Sequence, residues 1–365
     1  MKTMRRLLKA VPLPFWFYFL PMVARTLGIL PEKPLFYDAW VRALLPAALI
    51  LLLISTQLSS IFKVGQIALM TMLVGSLGII AGGPLALFIF HRGLPQNAWM
   101  GFGTLAGSWI GGSINMVALK EAIGTPNDLF SPMIFVDSVV AYSWMAILLS
   151  LAPYQVVLDR WNGSHMESLD SLHQTLKRLP SEKEISSLTF KNGLILSGVA
   201  ASGSVLSLLV SRRLPPVEGV FTQQTWLVLF ATGLATLLSF TPLSRLESLG
   251  ASRLGTFFLY AMLLGMGAQA DLKALAHFPL FVLVGMVWVL IHGVILFCYG
   301  RIFKIPLFFL ATASQANIGG VVSAPVVAAC YEKRLASLGL LLAIFGNITG
   351  TYLGLLTAYL MRITS

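Results

Sequence analysis

Charged residues are scarce in this sequence. Only 11% of its 365 residues are Asp, Glu, Lys or Arg, against about 25% in an ordinary soluble domain. Apolar residues make up 57%, and the mean hydropathy is +0.83. The net charge of +11 does not indicate nucleic-acid binding, because the basic residues are scattered between apolar runs as the positive-inside rule predicts. We therefore expect an integral membrane protein whose surroundings are the lipid bilayer and not nucleic acid.

Cysteine and the common catalytic motifs are also rare or missing. Cys298 and Cys330 lie in apolar segments, without the CxxC or Cys/His spacing of a zinc or redox site. The sequence has no GxSxG, no HExxH, no paired intramembrane aspartates and no glycine-rich phosphate loop followed by Lys-Ser/Thr. We predict no catalytic residue and no bound cofactor, and the missing phosphate loop argues against a primary pump.

Long apolar runs predict the membrane helices, since a bilayer core needs about 20 consecutive apolar residues per helix. The first run follows a basic N-terminus, which also fits a signal peptide. Because no small-residue cleavage site follows it, we interpret it as a retained helix. The nine candidate spans are Ala10 to Leu30, Trp40 to Ser60, Gln66 to Phe90, Leu129 to Leu151, Gly193 to Val210, Phe221 to Thr241, Arg253 to Gly267, Phe278 to Tyr299 and Ser337 to Met361.

An internal repeat relates the two halves of the chain. An offset of 210 pairs Lys63 with Lys273, and an offset of 208 pairs Ile110 to Gly112 with Ile318 to Gly320. Identities in apolar sequence also arise by chance, but the constant spacing and the matching order of segments favour a true repeat. The span Gly193 to Val210 has no partner and is predicted to be an extra helix between the repeats. Such repeats are typical of secondary transporters.

Two further apolar stretches, Ala98 to Gly124 and Pro306 to Tyr331, are interrupted by glycine pairs and small polar residues. Glycine weakens a helix and frees backbone groups, which hydrocarbon tolerates only where protein or a water-filled cavity receives them. We predict a hairpin tip in each stretch, with close helix packing through small residues as the alternative. Re-entrant hairpins put about twice as many basic residues on one side as on the other, whereas full crossings divide them almost evenly. The charge bias therefore favours re-entrant hairpins, inverted repeats and a cytoplasmic N-terminus.

The predicted fold class is an all-α polytopic membrane protein with two inverted repeats, discontinuous re-entrant hairpins and one extra helix between the repeats. Residues 1–151 form the first repeat, with its hairpin at 98–124. Residues 152–191 form a cytoplasmic polar loop, interpreted as a solvated linker with a short amphipathic helix through Leu169, Leu172 and Leu176. Residues 192–365 hold the extra helix and the second repeat, with its hairpin at 306–331.

The hairpin tips are the predicted substrate site. A tip near the membrane midplane offers helix N-terminal N–H groups to an anionic solute, while hydroxyls, amides and freed carbonyls can ligate Na⁺. The predicted substrate-binding residues are Ser108, Gly111, Gly112, Ser113, Asn115, Gln315, Asn317, Gly319, Gly320 and Ser323.

The predicted cation site centres on Asp137, the only carboxylate deep in a candidate span. An unpaired charge there costs several kcal/mol, so it should meet a cation, a proton or a polar partner. Its repeat equivalent is Asn347, and Ser138 and Ser314 complete the predicted cation-binding set, with Asp137 as the Na⁺ ligand. A purely structural hydrogen bond is the alternative. His292 could relay protons, although a lone histidine in a span is more often a packing residue.

The two glycine motifs resemble those of a known family. The motifs are Gly107-Ser-Trp-Ile-Gly-Gly-Ser-Ile-Asn-Met-Val-Ala118 and Ala313-Ser-Gln-Ala-Asn-Ile-Gly-Gly-Val-Val-Ser-Ala-Pro325. They resemble the bacterial and plastid YjcL-like membrane proteins, known as domain of unknown function 819, over nearly the whole chain. That family is distantly similar to sodium/glutamate symporters, which implies a scaffold domain, a moving core with two hairpins and elevator-type alternating access. Here Asn347 replaces a second acid, and Val321 stands where the first motif has Ser113, so the number of cation sites stays open.

The functional expectation is a Na⁺- or H⁺-coupled symporter for a small polar or anionic organic solute such as an amino acid. The alternative is an uncoupled channel or exporter, and an intramembrane enzyme ranks below both. We expect the protein in the bacterial inner (cytoplasmic) membrane or a plastid membrane, with a homodimer as its candidate assembly.

Overall fold

Helices dominate the part of the chain that the structure describes. The computed structural model describes residues 13–31, 34–54, 65–164, 188–216, 222–270, 272, 278–332 and 336–364, and these ranges contain no β-strand. The prediction of an all-α protein is therefore confirmed. The α-helices are α1 Leu13–Thr26, α2 Pro34–Ile54, α3 Gln66–Phe90, α4 Ala98–Gly111, α5 Ser113–Ile123, α6 Asn127–Leu151, α7 Gln155–Asn162, α8 Phe190–Arg213, α9 Gln223–Ser239, α10 Ala251–Gly267, α11 Phe278–Phe303, α12 Leu307–Ile318, α13 Gly320–Tyr331 and α14 Ala336–Thr364. Short 3-10 helices follow α3, α6 and α9 at His91–Gly93, Ala152–Tyr154 and Pro242–Leu249.

Six helical segments in these ranges are long and apolar enough to cross a bilayer: α2, α3, α6 continued through α7, α8, α11 and α14. A seventh is α9 with the 3-10 helix after it, if this pair, bent by 95°, forms one span. The sequence predicted nine. The first and seventh predicted spans correspond to α1 and α10, which have 14 and 17 residues. At 1.5 Å per residue these helices are only about 21 and 26 Å long, shorter than a hydrocarbon core of about 30 Å.

The chain forms two compact units, each built from segments of both predicted repeats. Unit 1 comprises Met1–Thr56, Val117–Ser138 and Glu184–Phe281, and unit 2 comprises Gln57–Met116, Val139–Lys183 and Val282–Ser365. Helix α6 thus contributes its first part to unit 1 and its second part to unit 2. The amphipathic helix predicted through Leu169, Leu172 and Leu176 lies outside the described residues.

Unit 1 is organised around α2, which packs against α8, α9 and α10, while α1 packs against α10. Two of its aromatic side chains find polar partners in this apolar interior, as buried Tyr and Trp usually do. The Tyr18 hydroxyl is hydrogen-bonded to Ser131 Oγ at 2.6 Å. Trp40 Nε1 donates to the Ala261 carbonyl at 2.9 Å. These bonds fix α1 against α6 and α2 against α10.

Unit 2 is organised around α14, a 29-residue helix that packs against α3, α4, α12 and α13. Its core includes Met72 of α3, Phe308 and Phe309 of α12, and Leu338 and Leu342 of α14, all almost completely buried. At 1.5 Å per residue, α14 is about 43 Å long and spans the unit from end to end. The helix breaks that carry most of the predicted site residues pack along it.

Candidate functional site

The predicted site residues divide between the two units. All of them except Asp137 and Ser138 belong to unit 2, where they cluster at two breaks between consecutive helices. We call the break between α4 and α5, residues 111–115, tip 1. We call the break between α12 and α13, residues 315–323, tip 2.

Tip 1 depends on two glycines that make different demands. Gly112 ends α4 with a φ of 77°, in the left-handed region that side chains rarely adopt. Gly111 has an ordinary conformation but no room for a side chain. A Cβ there would lie 2.7 Å from both the Gly346 carbonyl oxygen and Gly350 Cα. The end of α4 therefore rests directly on the backbone of α14.

Asn115 fastens tip 1 to α14. Its Nδ2 donates to the carbonyls of Gly111 at 2.5 Å and Asn347 at 3.0 Å. Its Oδ1 accepts from Thr351 Oγ1 at 2.5 Å. Both side chains are fully buried, and both amide hydrogens of Asn115 are used. The geometry therefore gives Asn115 a structural task, although it was predicted to bind substrate.

Tip 1 lies at the middle of α14. Gly350, which contacts the end of α4, is near the centre of α14. At the start of α4, the guanidinium of Arg362 lies over the ring of Trp99, 5.7 Å from the ring centroid. Helix α4 therefore runs antiparallel to the second half of α14, from the end of unit 2 near Arg362 to the centre.

Tip 2 is a sharp bend at Gly319 and Gly320. Gln315 Nε2 donates to Ser323 Oγ at 2.7 Å. On a straight helix, residues eight apart are separated by about 12 Å of rise, slightly more than these two side chains and one hydrogen bond can span, so this bond indicates a break in the helix between them. A Cβ on Gly319 would overlap both side chains, and Gly320 has a φ of 66°. Gly112 and Gly320, which the repeat pairs, thus both have a positive φ.

The two ends of the α12–α13 segment are held at one place in unit 2. At its start, the Leu307 N–H donates to Asp159 Oδ1 at 2.7 Å. At its end, the Tyr331 hydroxyl donates to the Leu148 carbonyl at 2.5 Å. Leu148 and Asp159 flank the 3-10 helix that joins α6 to α7. The segment therefore starts and finishes at the α6–α7 junction, with tip 2 between.

Asp159 is a residue that sequence reasoning missed. We expected it in a solvated linker, but it lies in α7 with only 5% of its surface exposed. Its carboxylate accepts a free N–H at the first turn of α12, which stabilises a helix start. No local motif marks this role, because the capped residue lies 148 positions away in the chain.

Ser314, a predicted cation ligand, belongs to a buried hydrogen-bond network. Its Oγ accepts from Trp144 Nε1 at 2.8 Å and lies 2.9 Å from His292 Nε2. His292 Nδ1 faces the Gly75 carbonyl at 2.9 Å, and a carbonyl only accepts, so Nδ1 carries the proton. In the neutral ring, Nε2 then accepts the Ser314 hydroxyl hydrogen. This network joins α3, α6, α11 and α12, so His292 has the geometry of a packing residue.

Asn317 faces α3. Its Nδ2 donates to Ser76 Oγ at 3.0 Å, and the Ser76 hydroxyl in turn donates to the Met72 carbonyl at 3.1 Å. The amide orientation is thereby fixed, since Ser76 Oγ can only accept from Asn317. Within the described chain Asn317 Oδ1 has no hydrogen-bond partner, although the residue is fully buried.

Comparison with known proteins identifies the family. A family model described as "Protein of unknown function (DUF819)" matches residues 1–364. The chain belongs to this family. The protein "Uncharacterized membrane protein YjcL" of Bacillus subtilis (strain 168) is 26% identical over 347 residues, which cover 91% of this chain and 86% of that relative. Together with the long apolar helices, this likeness indicates an integral membrane location.

The DUF819 match spans both tips and α14, so the whole of unit 2 lies inside the family region. Asp137 and Ser138 lie inside it too, on the unit 1 part of α6. Both are half-buried, and the Ser138 hydroxyl donates to the Ile134 carbonyl of its own helix at 3.1 Å. No three His, Cys, Asp or Glu side chains cluster as a metal site within the described ranges. The assignment of Asp137 and Ser138 to a cation site stays a prediction.

Proposed function

We propose that this DUF819 protein is a secondary active transporter that couples the movement of Na⁺ or H⁺ to the symport of a small polar organic solute. One observation carries the proposal: unit 2 contains two helix breaks at repeat-related positions, each with a glycine of positive φ, at Gly112 and Gly320. Broken helices within the membrane are the usual place where secondary transporters bind solute and coupling ion. A bacterial inner membrane or a plastid membrane would be the setting.

The helix bounds support the internal repeat. Helices α4 and α12 begin at Ala98 and Leu307 and end at Gly111 and Ile318, which are offsets of 209 and 207 residues. Helices α5 and α13 begin at Ser113 and Gly320, again 207 residues apart and close to the offset found in the sequence. Among the described helices α8 has no counterpart, and in chain order it stands between the two sets, as expected for the extra helix.

The directions of the two broken segments support inversion. Helix α4 enters unit 2 beside Arg362, at the C-terminal end of α14. Helix α12 enters at the α6–α7 junction, where α13 also ends, and α14 begins five residues after that end. The two segments therefore enter from opposite ends of α14. Opposite entry is what inverted repeats require, and the return of α13 to its starting end fits a re-entrant hairpin.

In this mechanism the tips would meet the solute near the membrane midplane. Tip 1 lies at the centre of α14, and backbone groups freed at both breaks can bind solute or ion only where a cavity receives them. In unit 1, Asp137 is the proposed source of negative charge that offsets dehydration of the cation, with Ser138 beside it as a candidate ligand. In unit 2, Asn347 and Ser314 are the candidate ion ligands. Elevator-type alternating access, with unit 2 as the moving body, completes the proposal.

Uptake into proteoliposomes tests the function. Purified protein would be reconstituted and offered a panel of labelled amino acids under an inward Na⁺ gradient, an inward proton gradient or no gradient. Accumulation above the external concentration under one gradient, and only equilibration without it, is the expected result. Equal uptake under all three conditions would identify an uncoupled channel or exporter instead. Empty liposomes and a Gly320→Val variant serve as controls.

A further inference from the structure

The two tips occupy corresponding positions but use their polar side chains differently. Thr104 and Thr312 are paired by the 208-residue offset, and both are fully buried. Thr104 Oγ1 donates to the Gly101 carbonyl at 2.7 Å, within its own helix. Thr312 Oγ1 has no hydrogen-bond partner anywhere in the described chain. The threonine hydroxyl therefore has a hydrogen-bond partner at the first position of the pair and none among the described residues at the second.

A second difference involves the amides. In tip 1, Asn115 uses both amide hydrogens and its oxygen to hold the tip on α14. In tip 2, Gln315 uses one amide hydrogen on Ser323, and its Oε1 has no partner among the described residues although only 1% of the side chain is exposed. The amide of tip 1 is thus fully hydrogen-bonded, whereas the amide of tip 2 has a buried oxygen without a partner among the described residues.

The open groups are neighbours. Thr312 and Gln315 are three residues apart on α12, so they share one face of the helix. Gln315 reaches Ser323 across the bend, and all three side chains are more than nine-tenths buried. No side chain caps the start of α13 within the described ranges, so N–H groups of its first turn add donors beside this pair. We call Thr312, Gln315 and Ser323 the tip 2 patch.

Buried polar groups without a hydrogen bond lower the free energy of unfolding, and folded proteins rarely contain them unless they have a function. Here the repeat supplies an internal comparison at one position, because the hydroxyl of Thr104, which the repeat pairs with Thr312, is hydrogen-bonded within its own helix. A threonine in a helix can bond the carbonyl one turn back, as Thr104 does. The Thr312 hydroxyl has no such bond, which leaves it open to a group outside the described chain.

The charges around the patch limit what it can bind. Helices α3, α4, α12 and α13 contain no Asp, Glu, Lys or Arg in their sequences. Helix α14 has only Arg362, which lies at the start of α4, and the buried Asp159 of α7 lies at the start of α12. A buried charge without a partner is costly, so an uncharged group fits this patch better than an anion.

We propose that the tip 2 patch is the solute-recognition site of the transporter and that it binds an uncharged amide or hydroxyl group. The N–H or O–H of that group donates to Gln315 Oε1, and its oxygen accepts from Thr312 Oγ1 or from the first turn of α13. This assignment rests on the proposed function and narrows it, because the solute is then recognised mainly by one tip. Tip 1, which Asn115 holds on α14, forms a rigid wall of the solute site.

The first test needs no solute. Thermal unfolding of the full chain in detergent would be compared for Thr312→Val and Thr104→Val, which remove the same hydroxyl from paired positions. Thr104→Val should lower Tm by about 2–4 °C, because one structural hydrogen bond is lost. Thr312→Val should leave Tm unchanged or raise it. An equal loss in both variants would overturn the proposal, since it would show that Thr312 already has a structural partner such as a buried water.

The second test uses matched probes. L-glutamine and acetamide carry an uncharged amide, and L-glutamate and acetate are their anionic counterparts. At equal ionic strength, the amides should raise Tm in a concentration-dependent manner, and Gln315→Leu should abolish this shift. A shift from the anions alone, a shift that survives in Gln315→Leu, or no shift from either amide would overturn the assignment. These binding results are independent of ion gradients, so a failure of coupled uptake would count against the transport proposal and not against the patch.

Discussion

Asn115 and Thr351 are joined by a hydrogen bond between two fully buried side chains that lie 236 positions apart in the sequence. The bond ties a broken helix of the first half of the chain to the long helix that ends the second half. It also completes the set of hydrogen bonds around Asn115, whose two amide hydrogens are used by Gly111 and Asn347.

Removing this bond should destabilise unit 2. Thr351→Val keeps the shape of the side chain but leaves Asn115 Oδ1 buried without a donor, so we expect the free energy of unfolding to fall by about 1–3 kcal/mol. Thr357→Val is the matched control. Thr357 is equally buried on the same helix, but its hydroxyl bonds only the Leu353 carbonyl one turn back. Equal losses in the two variants, measured by unfolding in detergent, would contradict the role given to Asn115.

Gly320 should tolerate only residues that accept a left-handed backbone. A Cβ at this position meets no atom within 4 Å, so conformation and not space sets the limit. Gly320→Asn should keep most transport activity, because asparagine visits this region at little cost, whereas Gly320→Val should abolish it. At Gly112, where φ is 77° and ψ is 176°, asparagine and valine should both abolish transport, because essentially only glycine adopts this combination. If valine and asparagine behaved alike in uptake assays at Gly320, or if the Gly112 variants kept full activity, the tips would be ordinary packing helices.

Asp159 should stabilise the start of α12. Asp159→Ala removes the acceptor of the Leu307 N–H, and we expect a loss of about 1–2 kcal/mol in the free energy of unfolding, the usual cost of losing a helix cap. Asp159→Asn keeps an acceptor oxygen and should lose less. Chemical unfolding of the detergent-solubilised variants measures both effects. An equal loss in the alanine and asparagine variants would show that the charge of Asp159, and not the hydrogen bond alone, stabilises this helix start.

The topology follows from the opposite entry points of α4 and α12. Lys304 lies three residues before the start of α12, and Arg362 lies beside the start of α4. In a background with Cys298 and Cys330 changed to serine, Lys304→Cys should react with an impermeant thiol reagent only from the cytoplasmic side. Arg362→Cys should react only from the other side. Labelling of both from one side would exclude the inverted, re-entrant arrangement.

Much of the architecture could be predicted because its signals are local. Glycine pairs marked both helix breaks, and runs of apolar residues marked the long helices. The buried contacts could not be predicted in the same way. The cap at Asp159 and the bonds from Trp144 and His292 to Ser314 join residues far apart in sequence, and an aspartate in a polar segment looks like any solvated residue.

The candidate site was predicted in part for the same reason. The sequence named Asn115 and Gln315 together, since both are polar residues near a glycine pair. Their different roles depend on which neighbours each amide meets, and Thr351 has no local signal that would reveal it as a partner of Asn115. The first predicted span, Ala10 to Leu30, is longer than α1 because the apolar run continues past Thr26, where the helix ends.

Ion coupling is most directly tested by measuring whether a solute gradient drives movement of the ion across the membrane. A carrier that couples the two must work in both directions, so an inward solute gradient should pull Na⁺ or H⁺ into proteoliposomes that start without an ion gradient. The measurement is ion entry, followed with a Na⁺- or pH-sensitive dye, after addition of an amino acid that the protein takes up. Ion entry in the wild type and its loss in Asp137→Asn, with solute entry retained, is the predicted result. Solute entry without any ion movement in the wild type would contradict a coupled transporter.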